Sequence, residues 1–317
     1  MSKLKGLLLT EGMHGMLSQV EGLAKGLNLE FIHEKIELRN FWKFFPPKIT
    51  PVKNFVFKNK LKYDFNILIS CGRKSVIPSI YLKRLYKKKI INIHIQNPKV
   101  SLSNFDYVVV PEHDKIDGKN VLTTKGAIHY LSKEDLILNR NYLASKISPN
   151  KKIVSFIIGG PNKYYDFSDD KIIYLFDKIK KNFISKNYQA IIIPSMRTPI
   201  NIINKAKNFF DESQIVIPNV DKKAYLSALQ LADHIVVTCD STSMISEAAL
   251  TGKPIYVAQI ATSKNDYRFR EFNKLFKELG IIKNLDNTIE EWNYNKLDET
   301  KRISIYLKEK INKHDFS

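Results

Sequence analysis

The stretch 234–259 constrains the fold more than any other part of the chain. Its apolar run, Ile235 to Thr238, is β-branched and typical of a strand buried on both faces. The next residues, Asp240 to Ser243, are of types that start helices. Gly252 and Pro254 end that helix after about two or three turns, and a second apolar run follows. The pattern predicts a minimal βαβ unit, and such units build parallel sheets.

The loop inside this unit has the features of an anion site. A loop that leaves a parallel strand and opens into a helix presents unpaired N–H groups and the positive end of the helix dipole. Asp240, Ser241 and Ser243 line it. Glu247 lies one helical turn after Ser243, where its carboxylate can accept hydrogen bonds from a ribose diol. We therefore predict a nucleotide site; the alternative is a helix cap at Asp240 or Ser241 and a solvated surface acid at Glu247.

Composition and charge limit the classes of function. A chain of 317 residues with 44% hydrophobic content is long enough for two globular domains. The net charge is +19, yet only 8 of the 51 Lys and Arg residues are arginine, the residue favoured at nucleic-acid phosphates. We therefore expect no nucleic-acid partner. The basic runs 58–62 and 84–89 are either solvated faces or sites of peripheral contact with an anionic membrane.

Other features of the sequence point to a cytoplasmic protein that needs no metal and no cofactor. The two cysteines, Cys71 and Cys239, each end a predicted strand and suggest neither a disulfide framework nor a metal site. No apolar run approaches the ~20 residues that span a bilayer, and the N-terminus does not resemble a signal peptide. Carboxylates are not clustered as in an Asp-x-Asp metal site. A peripheral position at the inner face of the membrane stays open.

Strands and helices alternate along the first half, which predicts an α/β domain over residues 1–147. Strands are predicted at 6–10, 30–36, 66–70, 90–95, 107–110 and 121–123, and helices at 13–27 and 75–86. Open parallel sheets bind ligands at the carboxyl ends of their strands. Gly12 and Gly15 follow the first strand without the full Gly-x-Gly-x-x-Gly spacing, and Arg73 and Ser75 follow the third. We assign these four residues to the ligand-binding edge of this domain.

His113 follows the fifth predicted strand and is the first candidate for a general base. Asp114 adjoins it in the chain and is a candidate to orient it. Neighbours on a loop need not face each other, so catalysis at this loop is one interpretation and an ordinary turn is the other.

A second α/β domain is predicted over residues 152–317, after the linker-like segment 148–152. A polar amphipathic helix is predicted before the linker, at 132–147. In the second half, strands are predicted at 153–158, 190–193, 215–217, 235–238 and 255–257, and helices at 169–183, 200–210, 222–231, 265–279 and 296–313. The last two helices are predicted to cover the sheet.

Two more loops of the second half carry residues suited to a diphosphate. Gly159, Gly160 and Asn162 follow its first strand, and glycines there let backbone N–H groups approach a pyrophosphate. Arg197 and Thr198 follow the next strand, which provides an arginine fork and a hydroxyl before a helix. Together with the loop after Thr238, three such loops are predicted at one sheet edge.

The order of these motifs resembles that of the mitochondrial-fission Elm-type (elongated mitochondria) family over most of the chain. The matching motifs are Glu11-Gly12-x-x-Gly15, Gly72-Arg73, Pro111-Glu112-His113-Asp114, Gly159-Gly160, Arg197-Thr198-Pro199 and the run from Thr238 to Ala248. The last is the most specific, because it combines Thr-x-Asp-Ser-x-Ser-Met with Ser-Glu-Ala at one strand-to-helix joint.

That family resembles the GT-B glycosyltransferases, which implies two facing Rossmann-like, doubly wound domains. In the GT-B fold the C-terminal domain holds the nucleotide-sugar, and the glutamate of a Glu-x-x-x-x-Gly-x-Pro pattern holds the ribose. Here this pattern starts at Glu247. The family's Asp-Gly-x-x-Gly-His start differs in this chain, which has Glu11 for the acid and Met16 in place of the histidine. His14, two residues earlier, is therefore the second candidate base.

The resemblance implies a GT-B-like transferase that moves a sugar from a nucleotide-sugar donor to a cell-envelope glycan or lipid-linked acceptor. The loops that carry Gly12, Gly15, Arg73 and Ser75 would then lie on the acceptor side and face the nucleotide-binding loops across one cleft. The first alternative is a non-catalytic scaffold on the same fold, because plant members of the family are known as partners of the fission machinery. A nucleotide-sugar isomerase is the second alternative, although no Tyr-x-x-x-Lys follows a nicotinamide fingerprint.

Overall fold

The structure is a computed structural model that describes residues 3–61, 63–286 and 288–316, and within these residues it contains two six-stranded parallel sheets. The chain divides into two compact units. The first runs as far as Tyr130 and also includes the chain from Asp298 onward, and the second is Leu131–Leu297. The predicted α/β class is confirmed.

The elements follow the predicted alternation closely. The strands are β1 Lys5–Thr10, β2 Glu30–Lys35, β3 Ile67–Cys71, β4 Ile91–Ile95, β5 Tyr107–Pro111, β6 Val121–Thr124, β7 Lys152–Ile158, β8 Tyr188–Pro194, β9 Ile215–Val216, β10 His234–Thr238, β11 Ile255–Ala258 and β12 Ile282–Asn284. The helices are α1 His14–Gly26, α2 Val76–Tyr86, α3 Lys133–Asn139, α4 Asp169–Asn182, α5 Ile200–Phe209, α6 Lys222–Leu231, α7 Thr242–Ala249, α8 Tyr267–Glu278 and α9 Glu299–Ile311. The three-residue strand β12 was not predicted.

The first sheet has the strand order β2-β1-β3-β4-β5-β6, with every pair parallel. Its inner strands β1, β3, β4 and β5 are mostly buried because helices cover both faces, whereas the edge strand β2 is largely exposed. Leu8 of β1 packs in one cluster with α1 and α9, whereas Leu7 and Leu9 pack in another cluster with α2. Successive side chains of a strand point to opposite faces, so a single strand supplies both cores.

The second sheet has the order β12-β11-β10-β7-β8-β9, again with every pair parallel. The predicted βαβ unit is present, since β10 and β11 pair in parallel and α7 connects them. β7 lies between β10 and β8, so the carboxyl ends of these three strands are neighbours at one edge of the sheet. The second unit therefore brings the three predicted loops together.

The units do not divide at the predicted linker, 148–152. The segment before it belongs to the second unit because α3 and the turns after α3 pack on α6. The last helix, α9, belongs to the first unit, where Ile303 and Leu307 join the core cluster of α1. Linker-like composition at 148–152 instead marks a turn, in which Ser148 N–H donates to the Gln189 side chain.

The predicted helix 132–147 ends early, at Asn139, and 3-10 turns follow. Ser227 of α6 accepts a hydrogen bond from Leu143 N–H at 3.1 Å and donates to the carbonyl of Arg140 at 2.8 Å. Tyr142 donates to Asp221 at 2.7 Å. These bonds to a neighbouring helix replace the regular pattern of backbone bonds, an example of tertiary contact overriding local propensity. Within the described residues, no helix is long and apolar enough to cross a membrane.

Candidate functional site

Asp240 is the centre of the loops that meet at the carboxyl edge of the second sheet. Its carboxylate accepts hydrogen bonds from Arg197 Nη2 at 2.6 Å, from Thr238 Oγ1 at 2.6 Å and from Gly160 N–H at 3.2 Å. The side chain is fully buried. Burial raises the pKa of Asp240, against the attraction of the Arg197 guanidinium, which lowers it. One buried carboxylate thus connects the loops after β7, β8 and β10.

The two glycines after β7 allow this close packing. A Cβ atom on Gly159 would lie 2.2 Å from both carboxylate oxygens of Asp240, and one on Gly160 would lie 1.9 Å from the backbone oxygen of Arg197. Gly159 N–H donates to Thr238 Oγ1 at 2.8 Å, as Gly160 N–H does to Asp240. The glycine N–H groups were predicted to approach a pyrophosphate, but in the structure they bond to side chains of the protein. Their observed contribution is the close approach of three loops.

Of the other predicted residues in these loops, Asn162 and Thr198 shape the backbone, whereas Arg197 is also partly exposed. Asn162 accepts the N–H groups of Tyr164 and Tyr165 and so shapes its own loop. Thr198 donates to the carbonyls of Ile158 and Gly159 from the loop after β8. Arg197 also donates from Nη1 to the carbonyl of Gly160 at 2.9 Å, but 39% of its side chain is exposed. Its positive charge therefore reaches the surface of this edge.

The start of α7 combines a cap with accessible hydroxyls. Ser241 accepts a hydrogen bond from Met244 N–H at 3.3 Å, so the capping interpretation is confirmed for this residue. Ser243, in the first turn, is half-buried. A helix N-terminus with hydroxyls at its first turn is a favourable place for an anion, and the cap does not remove that property.

Glu247 lies on the buried side of α7, and only 8% of it is exposed. Tyr225 of α6 donates a hydrogen bond to its carboxylate at 2.6 Å. Burial raises the pKa of Glu247 to about 7, and the bond from Tyr225 lowers it by a smaller amount. The solvated surface-acid alternative is therefore wrong. A buried carboxylate with a raised pKa is costly for stability, and such groups are concentrated at functional sites.

The loop after β11 forms a cavity of about 630 Å³ that the sequence interpretation missed. Its lining runs from Gln259 to Asp266 and includes Arg270 of α8. Tyr165 from the loop after β7 donates to Asp266 at 2.7 Å, so this wall is tied to a neighbouring loop. β11 lies beside β10, which places the cavity at the same sheet edge. The detectable signal was the polar run from Thr262 to Asp266, shortly after a buried parallel strand.

The acceptor-side residues of the first unit occupy varied environments. Gly12 has a left-handed backbone, with φ of 83°, and a Cβ atom on Gly15 would meet no other atom within 4 Å. Arg73 is exposed and donates to the carbonyl of Lys43 at 2.8 Å. Ser75 is fully buried, and its hydroxyl donates to the carbonyl of Gly72. Ser75 thus shapes the loop after β3 from beneath.

Glu11 links the loop after β1 to the loop after β3. It accepts a hydrogen bond from Lys74 N–H at 3.0 Å and pairs with Lys74 Nζ at 3.0 Å. Met16, which stands in place of the family's histidine, packs over Gly72, where an added Cβ atom would lie 2.6 Å from its sulfur. The position holds an apolar contact in this chain.

The two candidate bases differ in exposure. His113 lies in a 3-10 turn after β5, only 7% of its side chain is exposed, and its Nε2 is 3.9 Å from Asp114 Oδ1. His14 begins α1, is exposed, and contacts the ring of Tyr130 edge-on at 6.2 Å. The first histidine is therefore held beside a carboxylate, whereas the second faces solvent.

Comparison with known proteins identifies the family. The model of the mitochondrial fission ELM1 family matches residues 14–311. Mitochondrial fission protein ELM1 of Arabidopsis thaliana is 25% identical over 274 residues, which cover 77% of this chain and 64% of the plant protein. An uncharacterized protein of Rickettsia prowazekii (strain Madrid E) is 27% identical over 288 residues, which cover 78% of this chain and 81% of that protein. The match therefore spans less than two thirds of the plant relative.

Solved structures share the fold along nearly the whole chain. UDP-GlcNAc 2-epimerase from Methanocaldococcus jannaschii has a TM-score of 0.55 and 13% identity, covering 96% of this chain and 99% of that one. A putative UDP-N-acetylglucosamine 2-epimerase from Listeria monocytogenes has a TM-score of 0.54 and 11% identity, covering 99% and 98%. The glycosyltransferase SnogD from Streptomyces nogalater has a TM-score of 0.51 and 8% identity, covering 99% and 96%. The predicted GT-B-like fold is confirmed, and at these identities the likeness concerns the fold alone.

Proposed function

We infer that this chain, which belongs to the mitochondrial fission ELM1 family, binds a nucleotide-sugar at the carboxyl edge of the second unit's sheet. The observation that carries the proposal is Glu247, a buried carboxylate one turn into α7, beside loops that Asp240 holds together. A ribose diol can donate two hydrogen bonds to such a carboxylate, and those bonds would compensate for its burial.

Other groups at this edge suit the diphosphate, the base and the sugar of the nucleotide-sugar. The N-terminus of α7, with Ser243, and the partly exposed Arg197 would stabilise the diphosphate. Asp240, Gly159, Gly160, Asn162 and Thr198 would hold the loops in position. The cavity after β11 has a volume typical of small-ligand sites and is a candidate for the base or the sugar. Two UDP-GlcNAc 2-epimerases that share the fold have been solved with UDP-GlcNAc bound, which supports a uridine nucleotide as the first ligand to test.

The reaction that we propose is transfer of the sugar to a glycan or lipid-linked hydroxyl. The acceptor oxygen would attack the anomeric carbon as the bond from that carbon to the diphosphate breaks, and the nucleoside diphosphate would leave with the bonding electrons. His113, or His14, would take the acceptor's proton. The helix dipole and Arg197 would stabilise the leaving diphosphate without a metal. The protein would work in the cytoplasm, in contact with the inner face of the membrane.

Epimerisation of a nucleotide-sugar is the second candidate, because UDP-GlcNAc 2-epimerases are among the solved structures that share the fold. A scaffold without catalysis is the third, because the curated relative in Arabidopsis thaliana is described as a mitochondrial fission protein. All three agree with the fold, so activity measurements must separate them.

The test is calorimetry with UDP, GDP, ADP and dTDP on wild-type protein, on Glu247→Ala and on Glu278→Ala. Glu247→Ala is expected to weaken nucleotide binding by about 1–3 kcal/mol, the range for hydrogen bonds to a charged group. Glu278 is exposed at the end of α8 and serves as the matched control. Equal affinity in all three proteins would remove Glu247 from the site.

The products then distinguish the functions. Release of free UDP from UDP-GlcNAc only with a lipid-linked acceptor would support transfer. Conversion of the sugar without UDP release would support epimerisation. Wild-type protein that binds none of the four nucleotides would favour the scaffold.

A further inference from the structure

The segment between β2 and β3 exposes large apolar side chains that are not packed in a hydrophobic core. Phe44 is 84% exposed, Phe41 and Ile49 are each 63% exposed, and Phe55 is 50% exposed. Single exposed apolar residues are ordinary, but a group of them on one segment marks an interaction site. We call these four residues, together with Lys43, Lys48 and Lys53, the aromatic surface.

The segment that carries the aromatic surface is fixed to the first unit. Its ends pair, with Arg39 N–H donating to the carbonyl of Val56 at 3.0 Å and Leu38 bridging Phe57. Trp42 packs against the core cluster of β1 and α2 and lies 4.9 Å from the ring of Phe41. Three 3-10 turns carry the exposed side chains. The apolar groups are thus presented by an ordered scaffold.

The charge of this segment has one sign. Residues 38–63 contain seven lysines and arginines and no aspartate or glutamate. Lys43, Lys48 and Lys53 are exposed and alternate with the exposed aromatics. An interface with these properties suits a partner that is negatively charged at its surface and apolar directly beneath it.

We propose that the aromatic surface docks on a bilayer containing anionic phospholipid. Phe41, Phe44 and Phe55 would enter the headgroup region, and the lysines would contact lipid phosphates. A protein partner fits less well, because lysine is depleted in protein interfaces. Lysine at a bilayer surface keeps its ammonium group in water while its stem covers apolar groups.

The position of the surface relates it to the acceptor. Arg73, in the loop after β3, donates to the carbonyl of Lys43, so the aromatic surface is joined to an acceptor-side loop of the same unit. Docking would therefore bring that loop to the bilayer, as a lipid-linked acceptor requires. Only the biological role of docking rests on the proposed function. Because vesicle binding is measured without nucleotide, either proposal can fail while the other holds.

The experiment is co-sedimentation of the full chain with vesicles of pure phosphatidylcholine and with vesicles containing about one third phosphatidylglycerol. We expect sedimentation with the anionic vesicles, much less with neutral ones, and a decrease at high salt. Lys43→Glu, Lys48→Glu and Lys53→Glu together should lower the partition coefficient at least about a hundredfold, since each lysine contributes about fivefold and each new glutamate is repelled by the anionic lipid. Phe41→Ser with Phe44→Ser should also release the protein.

Two control variants test whether vesicle binding depends specifically on the aromatic surface, and not on the charge or apolar exposure of the whole chain. The first replaces the exposed Lys180, Lys181 and Lys186 of the second unit by glutamate, which makes the same change of charge away from the aromatic surface and from the basic runs. The second replaces Ile137 and Leu138, which are 64% and 81% exposed on α3, by serine. Both should bind vesicles like the wild type. Equal losses in test and control variants, or wild-type protein that ignores anionic vesicles, would overturn the proposal.

A single fluorescent substitution provides a second test in case a multiple variant does not fold. Phe44→Trp should shift fluorescence to shorter wavelength with anionic vesicles, because the new indole leaves water. An unchanged spectrum, or self-association of the protein without vesicles, would contradict docking on lipid.

Discussion

The carboxyl edges of the two sheets share a topology and differ in construction. In the second unit, the fully buried Asp240 binds groups from three loops, and Glu247 is buried in α7. In the first unit, Glu11 joins only two loops, and its partner Lys74 is one third exposed. His14, at the same edge, is exposed to solvent. One edge is held by internal bonds, whereas the other combines the accessible His14 with His113, whose side chain is only 7% exposed.

This difference indicates how one fold can bind two kinds of ligand. Preorganised groups in a buried setting suit a ligand of constant structure, such as a nucleoside diphosphate, because little reorganisation is needed on binding. Exposed side chains on a less constrained edge suit a variable acceptor. We therefore propose that the second unit binds the nucleotide and that the first provides the base, and the following predictions test this division.

The largest effect is expected from the candidate bases. His113→Ala should lower transfer turnover about 100- to 10,000-fold and leave UDP affinity unchanged, because a general base acts on the acceptor and does not hold the donor. His14→Ala is tested separately, and His33→Ala on β2 is the control. Turnover and calorimetry are measured on all three variants. If His113 and His14 can both be replaced without loss of rate, the base is another group.

The second prediction compares the two carboxylates that connect loops. Asp240→Ala should lower the free energy of unfolding by about 3 kcal/mol, the low end of the range for breaking a buried ion pair, because Arg197 remains partly in water. Glu11→Ala should cost at most about 1 kcal/mol, because Lys74 is partly exposed. Denaturant unfolding of both variants measures the difference. Similar losses would show that the two edges are equally constrained.

The third prediction concerns the pH dependence that Glu247 produces. Its pKa is raised from 4.5 to about 7, so the folded chain binds this proton more tightly than the unfolded chain. The unfolding free energy therefore falls as pH rises from about 4.5 to 7, and the loss is complete above 7. Glu247→Gln should remove this loss and be more stable than wild type by about 1–3 kcal/mol at high pH.

The measurement is denaturant unfolding at about pH 5 and pH 8, where the carboxyl is mostly protonated and mostly ionised. The two proteins should differ little at the lower pH. Glu278→Gln, at an exposed position, should follow the wild type at both. Parallel behaviour of Glu247→Gln and wild type would mean that the carboxyl is not desolvated as the structure indicates.

Local patterns were sufficient for the elements and for the class of fold. The strand, cap, helix and turn between His234 and Ala258 all follow from nearby residues, because apolar runs, Ser241 and Gly252 act over a few positions. Local patterns failed for the helix predicted over 132–147. Its end is set by Ser227, which binds the backbone of Leu143 from 84 residues away in the chain. Local preference cannot include a partner so distant in the chain.

Local residue patterns were sufficient to predict that polar loops follow three buried strands and that Glu247 is about one turn into a helix. The strand order, with β7 between β10 and β8, arises only in the folded chain, and it places Asp240 against Gly160 and Arg197. The fold also buries Glu247 against Tyr225. Strand order and helix packing arise from contacts between residues far apart in the chain, and these contacts set the burial and hydrogen bonds on which the chemistry of each side chain depends.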